Sequence, residues 1–467
     1  MNKFLEKLRL LCYYKIENFA RGTYRSSSFL GSSKFHSALA GWCEHPPGKK
    51  AVSRAKFFYY VMKKQKSMAV IHYHEIALKG KNRAFFEKTL ALNIERMMKE
   101  KIKVRRFSGR LLAEGINDLK QAKEILSRVF GIKYFSFAKI APAEISAISE
   151  IAVSFFPASP RLAGQESGSA SGGKKPYPAS FRITASRAEK KYPFTSQDLM
   201  NEVGAFVRKK TGIRVDLKKP KRVIFIEVAE DMAFIYDEKF SGPGGLPVGT
   251  AGRVAALVSS GFDSPVAALK IMKRGAEPVL IHFHSYPQTS RESLENAEKL
   301  AGILSQYSPQ PLKLYLIPFL EIQKAIVKKS PAAFLTIIYR RWMLKIAEMI
   351  AKKIGAKALV TGDSIGQVAS QTLDNIMVVS EAVNLPILRP LAGYDKEEII
   401  AEARLCGTYE ISALPYDDCC SLFADASPKT RAKIEEVQKI EALFKDEFEN
   451  LAQKALAAAE EKLAVKS

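Results

Sequence analysis

Cysteine is scarce in this chain: Cys12, Cys43, Cys406, Cys419 and Cys420 are the whole complement in 467 residues. That excludes a disulfide scaffold and fits a reducing, cytoplasmic setting, so a special cysteine is expected to be chemical rather than structural. Long apolar runs are missing as well. No window approaches 18 uninterrupted apolar residues, which argues against a membrane-spanning helix and a membrane partner. Acidic side chains are in deficit, 48 Asp and Glu against 73 Lys and Arg, and the net charge is +25. A polyanion is the default partner of such a chain and nucleic acid the commonest one, with a generic solvated basic surface as the plainer alternative. What is plentiful is apolar material, 47% of the residues, enough to rule out global disorder. The length suggests about two to four domains.

The charge is unevenly placed. Residues 1–67 contain no Asp and carry a net +11, with a Ser26–Ser28 run, a Pro46-Pro47-Gly48 breaker and no sustained periodicity, and are expected to be a poorly ordered extension with Met68 as the natural beginning. From Met68 to 130 the pattern reads as a βαβα module consistent with a ferredoxin-like half. It has a strand at Ala69–Tyr73, a helix over Ala84–Lys101, a strand over Val104–Leu112 broken at Gly109, and a helix near Leu119–Phe130. Lys79, Lys81 and Arg83 form a basic turn able to hold phosphates or simply to face solvent. A second α+β module spans 131–240 with a flexible insertion expected at 157–180, where Ser, Gly, Pro and Lys crowd together. Its cations, among them Arg182, Arg187, Lys190, Arg208 and Lys218, suggest a face that follows an RNA backbone. A Gly/Pro linker at 241–250 leads into a third module, 251–467.

Here the chemistry becomes legible. Arg253–Val258 reads as a strand, followed by Ser259-Ser260-Gly261-Phe262-Asp263-Ser264-Pro265 and a helix over Val266–Arg274. Strand, small-residue turn and helix start are the arrangement that aims backbone N–H groups and a helix dipole at phosphate, with Ser264 placed to cap the helix and Pro265 suited to its first turn. Gly-Lys-Ser/Thr is absent, which disfavours a kinase-like loop, whereas the Ser-Gly-Gly-x-Asp-Ser loop of ATP pyrophosphatases fits apart from Ser260 in place of its first Gly. If that position needs a positive φ, Ser260 strains it; a small hydroxyl could otherwise fit and even donate to phosphate. Further strands at Pro278–Phe283, Leu312–Ile317 and Ala356–Val360, alternating with helices near Arg291–Ser305 and Ala332–Lys353, imply a mostly parallel, doubly wound α/β sheet. His282 and His284 are read as lying on opposite strand faces, a poor chelate, so no metal site is expected. Residues 428–466 read as one Ala/Lys/Glu-rich helix.

Five segments in one order, Glu75–Arg83, Gly242–Gly249, Ser259–Val266, Gly362–Gln371 and Pro415–Cys420, together resemble the tRNA 4-uridine sulfurtransferase (4-thiouridine synthase) family, over about Met68 to Phe423. The resemblance implies a ferredoxin-like domain, a THUMP RNA-binding domain and a PP-loop ATPase domain. It implies that ATP, with Mg2+, adenylates uridine 8 of tRNA and that persulfide sulfur then replaces the 4-oxygen. By similarity Leu257, Val258, His282 and Phe283 frame the adenosine, Ser259, Gly261, Asp263 and Ser264 hold the phosphates, and Arg340, Gly362 and Gln371 complete the ATP site. Asp263 would organise the loop or a Mg2+, and Cys419, with Cys420 second, would serve sulfur transfer. The chain is expected to lack the rhodanese domain that many bacterial members append, so a cysteine desulfurase or free sulfide would load sulfur at Cys419 or Cys420, with Cys406 a weaker candidate. A thiamine role leans on that missing domain, and a homodimer is left open. Two other classes share parts of this pattern: a different PP-loop ATP pyrophosphatase, and a non-catalytic THUMP RNA-binding protein.

Overall fold

The computed structural model describes residues 67–98, 101–156, 178–415, 419, 422–423 and 428–465. The expected extension over 1–67 lies outside them apart from Ser67, and so does most of the expected insertion, although Ser180 already opens a strand.

The first half is built on β1 (Ser67–His72), α1 (Arg83–Met97), β2 (Lys103–Phe107), β3 (Arg110–Ile116), α2 (Leu119–Leu126) and β4 (Tyr134–Pro142). The single broken strand expected over 104–112 is instead the hairpin β2–β3. Ser108 and Gly109 both take positive φ, which reverses the chain rather than interrupting it. After α3 (Ile145–Val153) come β5 (Ser180–Arg187), α4 (Ser196–Thr211), β6 (Arg214–Val215), β7 (Arg222–Ala229), β8 (Met232–Tyr236) and β9 (Phe240–Ser241). Helix α4 carries the signals its sequence advertises: a Thr195/Asp198 capping box at its start and Gly212 with positive φ at its end.

Strand β4, which periodicity did not reveal, joins the two modules. Residues 134–138 pair with β1 and residues 139–142 with β8, giving one continuous order β2-β3-β1-β4-β8-β7-β5-β6, with β9 on β4. At the join Glu227 on β7 lies 2.7 Å from Arg110 of β3 and 3.1 Å from His72 of β1, and it accepts a hydrogen bond from the Tyr236 hydroxyl.

The Gly/Pro segment after β9 is a packed strap. Gly244 exchanges backbone hydrogen bonds with Gly131 and Ile132, and Leu246 N–H donates to the Lys273 carbonyl. A β-carbon on Gly245 would stand 2.1 Å from that same carbonyl oxygen, so only glycine lets the two backbones meet. Leu246 is buried in the core of the first module and Val248 in that of the third.

The third module has β10 (Arg253–Leu257), α5 (Asp263–Lys273), β11 (Glu277–His284), α6 (Glu292–Ser305), β12 (Lys313–Pro318), α7 (Leu320–Lys329), α8 (Leu335–Ile354), β13 (Leu359–Val360), α9 (Leu373–Ser380), β14 (Ile387–Leu388), α10 (Lys396–Cys406), α11 (Ile434–Ala442), α12 (Lys445–Ala457) and β15 (Glu460–Leu463), short helical turns aside. Its sheet runs β14-β13-β10-β11-β12-β15, parallel except for β15. Alternate residues of β10 feed two cores: Ala255 with α8 on one face, Val254 and Ala256 with α5 and α10 on the other. The single terminal helix expected over 428–466 is instead α11, α12 and β15. Although its composition favours helix, the end of the chain closes the open edge of β12, where Glu461 meets Lys313 and the Tyr315 hydroxyl (2.5 and 2.6 Å).

Candidate nucleotide site

Strand β10 is the switch point of the third sheet: the chain leaves it toward β11 on one side and returns beside it as β13. Clefts form outside the carboxyl ends of strands at such a point. A cavity of about 570 Å³ opens there, lined by Leu257 and Val258 after β10, His282 and Phe283 of β11, and Thr361 and Gly362 after β13. Ser259, Gly261, Asp263, Ser264, Arg340, Gln371 and Cys419 line it too, so the residues expected for the ATP site and for sulfur transfer line this one cavity, except the weaker candidate Cys406 and Cys420, the latter outside the described residues.

The turn into α5 is held by its own hydroxyls. Ser259 N–H donates to Ser264 Oγ at 2.7 Å and the two hydroxyls are 3.1 Å apart. Ser264 therefore does not cap the helix as expected; Phe262 occupies the N-cap, and among the described residues no side chain caps it. The first-turn amides and the positive end of the helix dipole are left for an anion. Ser260 does not strain the turn: among the described residues only Ser108 and Glu230 are non-glycines with positive φ. Its buried hydroxyl donates to the Ser293 carbonyl at 3.1 Å, anchoring the loop to α6. Opposite it, a β-carbon on Gly362 would lie 2.7 Å from Ser264 N and 2.9 Å from the Asp263 carbonyl carbon, so glycine is required where the β13 loop presses on the α5 turn.

The charges are arranged around Asp363, which sequence reasoning passed over. Its carboxylate accepts from Arg340, from Arg389 at 3.0 Å and from Thr361 Oγ1 at 2.8 Å. Burial pushes this carboxyl up, but Arg340, Thr361 and Arg389 outweigh it and hold it below its ordinary value. Arg340 also donates to Ser370 Oγ and its carbonyl, both at 3.1 Å, which fixes the guanidinium in the cavity wall. Its neighbour Arg341 is buried the other way against Glu381 and Glu441. A second missed residue is Lys396 at the start of α10, whose ammonium is 2.8 Å from Asp263 Oδ1; no local motif announces a partner so distant along the chain. Gln371 Oε1 is buried with no protein hydrogen bond among the described residues, an acceptor available to a ligand.

His282 and His284, two residues apart, share one face of β11 rather than opposite faces, a correction that follows from the two-residue period of a strand. His282 is buried, with Nδ1 2.9 Å from the Val258 carbonyl, and burial together with His282 pushes His284 down to about 4. Among the described residues no cluster of three or more His, Cys, Asp or Glu forms. Asp263 is the carboxylate on the α5 turn, and one carboxylate shared with phosphate oxygens suits Mg2+.

With this geometry in place, comparison with known proteins is direct. The description "Thiamine biosynthesis protein (ThiI)" matches residues 249–445, "ThiI ferredoxin-like domain" residues 68–136 and "THUMP domain" residues 170–238. A "Probable tRNA sulfurtransferase" of Thermus thermophilus is 44% identical over 376 residues, covering 79% of this chain and 87% of that protein. One from Moorella thermoacetica is 42% identical over 375 residues, covering 80% and 92%. The chain belongs to the tRNA sulfurtransferase family. The fold agrees: the crystal structure of a 4-thiouridine synthetase–RNA complex with bound ATP superposes with a TM-score of 0.75 at 34% identity, covering 85% of this chain and all of that one.

In this member of the tRNA sulfurtransferase family several expected phosphate-binding cations have structural duties instead. Arg83 is held by Glu87 and the Tyr73 hydroxyl, both at 2.7 Å, which takes it out of the basic turn that Lys79 and Lys81 still present. Arg187 is spent on the Tyr192 and Phe194 carbonyls at 3.1 Å, and Arg222 on Asp237. Lys190, Lys191, Arg208, Lys209, Lys210, Lys218 and Lys219 remain exposed on the THUMP module. Cys406 is buried in the core 3.2 Å from Thr408 Oγ1 and does not line the cavity; burial pushes its thiol up.

Proposed function

We propose that this chain is an ATP-dependent tRNA sulfurtransferase that makes 4-thiouridine, with uridine 8 as the target. The observation that carries the reading is the uncapped start of α5, crossed by Gly362, opening on a cavity that Arg340 also lines. The uracil 4-oxygen is a poor leaving group. Attack of that oxygen on the α-phosphorus of ATP releases pyrophosphate and converts it into a leaving AMP. The start of α5 would take the departing pyrophosphate, while Arg340, pre-oriented by Asp363 and Ser370, would meet charge developing on the phosphates. Mg2+ would be held by Asp263 and the ATP phosphates, with Lys396 free to move to a phosphate oxygen. Cys419, which lines the same cavity, would carry the sulfur: the outer sulfur of its persulfide attacks C4 and displaces AMP, and a thiolate, Cys420 or an external thiol, then attacks the inner sulfur and frees 4-thiouridine. Because adjacent cysteines pair poorly, a further external thiol would reduce the resulting disulfide back to thiols. A cysteine desulfurase would hand the sulfane sulfur of its own persulfide to the Cys419 thiolate in a cytoplasmic setting; free sulfide would instead attack the adenylated C4 directly and displace AMP without using Cys419.

Pyrophosphate release from ATP with purified tRNA tests this. The intact chain is expected to release it only when tRNA is present. Asp263→Ala should lower that release about 100-fold or more while tRNA affinity is unchanged. No release at all would favour a non-catalytic RNA binder, and release with a non-RNA acceptor would favour another ATP pyrophosphatase.

A further inference from the structure

Gln323, on the second turn of α7, is a fully buried amide that the chemistry above does not use. Burying a primary amide is costly unless both its ends are satisfied. Both are. Its Nε2 donates to the Cys419 backbone carbonyl at 2.6 Å, and its Oε1 accepts from the Ser285 hydroxyl. The Cys419 carbonyl carries no proton, so the NH2 group must face it, and the orientation of the amide is fixed. Ser285, itself fully buried, directly follows β11, whose His282 and Phe283 line the cavity. The next helix is fastened to the same strand end, since Phe319 N–H donates to the His284 carbonyl at 2.8 Å and Gln323 N–H to the Phe319 carbonyl at 3.0 Å. A short rigid chain of hydrogen bonds thus runs from the end of β11 through Gln323 to the backbone of Cys419.

We propose that Gln323 is a positioning residue for sulfur transfer, setting Cys419 at a fixed place in the cavity wall relative to the strand that frames the nucleobase pocket. This rests on the reading of Cys419 as the sulfur carrier. The adenylation step involves the α5 turn and Arg340, neither of which Gln323 touches. Loss of the amide should therefore separate the two half-reactions, because displacing a reacting group by about 1 Å costs on the order of 100-fold in rate.

The test uses the full chain with tRNA, ATP and a cysteine desulfurase supplied with cysteine, a persulfide donor that must load Cys419. With Gln323→Met, single-turnover pyrophosphate release should stay within about threefold of the parent, while 4-thiouridine formation falls about 100-fold. A parallel fall in both half-reactions, or no fall in thiolation, overturns the proposal. Gln323→Glu keeps the shape and covers the case in which the methionine variant does not fold. Its neutral acid donates to the Cys419 carbonyl as the amide does, its carboxylate repels it, and burial raises its pKa toward the working range. The thiolation rate of Gln323→Glu relative to the parent should rise as pH is lowered from about 8 to about 6; a flat ratio contradicts the inference. Cys419→Ser separates the two ideas. Full thiolation by that variant sinks the reading of Cys419 itself, whereas its loss alongside a fully active Gln323→Met sinks only the positioning role.

Discussion

At single residues, what decides the site is how little room the backbone leaves. Gly362 crosses the α5 turn where a methyl group would sit 2.7 Å from Ser264 N. Gly362→Ala must push the two loops apart, and overpacking of this kind costs about 1–3 kcal/mol. The expected outcome is ATP affinity reduced about tenfold or more, measured by calorimetry, with tRNA affinity unchanged. Unchanged ATP affinity would mean that the loops separate freely and that the crossing is not part of the site. The sequence marked this glycine because it stands in a recognisable segment, Gly362–Gln371. Asp363, its neighbour, was overlooked because its meaning comes from Arg340 and Arg389, both distant in sequence and brought together only by the folded sheet. Lys396 was invisible for the same reason. Ser260 looked like a defect against a glycine pattern, and its ordinary φ with a hydroxyl bound to Ser293 makes it an anchor.

Among secondary-structure elements, the junction of the first two modules holds a buried charge network. Glu227 is fixed by Arg110, His72 and Tyr236, which come from strands on both sides of the join. Burial pushes its carboxyl up, but His72, Tyr236 and Arg110 overcome this and hold it at about 2, below the ordinary 4.5. Because the folded value is the lower one, the carboxylate's contribution to stability is fully present above the ordinary value and is lost as pH falls toward and through about 2. Glu227→Gln removes the charge and leaves Arg110 buried, so it should cost about 3–5 kcal/mol in denaturant unfolding at neutral pH and flatten the acid limb of the stability curve. A cost below about 1 kcal/mol would show that water reaches the junction. Helices α4 and α5 and strands β10 to β13 of the parallel sheet were readable from periodicity, whereas the two-residue β14 is too short to show a period and the expected Ser264 cap of α5 is absent. Strand β4 was not readable either, because its two halves pair with different neighbours; nor was β15, whose Glu-Glu-Lys-Leu sequence favours helix until the open edge of β12 claims it.

Across the described residues, the half holding the ferredoxin-like and THUMP modules and the third module are held together by a packed strap rather than a loose tether. Leu246 and Val248 are buried in separate cores, and Glu75 in the basic turn grips Arg274 at the end of α5 through two 2.9 Å contacts. Exposed lysines and arginines of the THUMP module and the α5 turn of the third module therefore sit on one frame, which suits the proposed reaction of a polyanion with ATP. The most direct test is mass spectrometry of tRNA nucleosides after incubation of the full chain with tRNA, ATP and sulfide. The account predicts 4-thiouridine at position 8, dependent on ATP and abolished by Asp263→Ala. Unmodified tRNA from an ATP-binding, tRNA-binding preparation, or 4-thiouridine formed equally well without ATP, would contradict it.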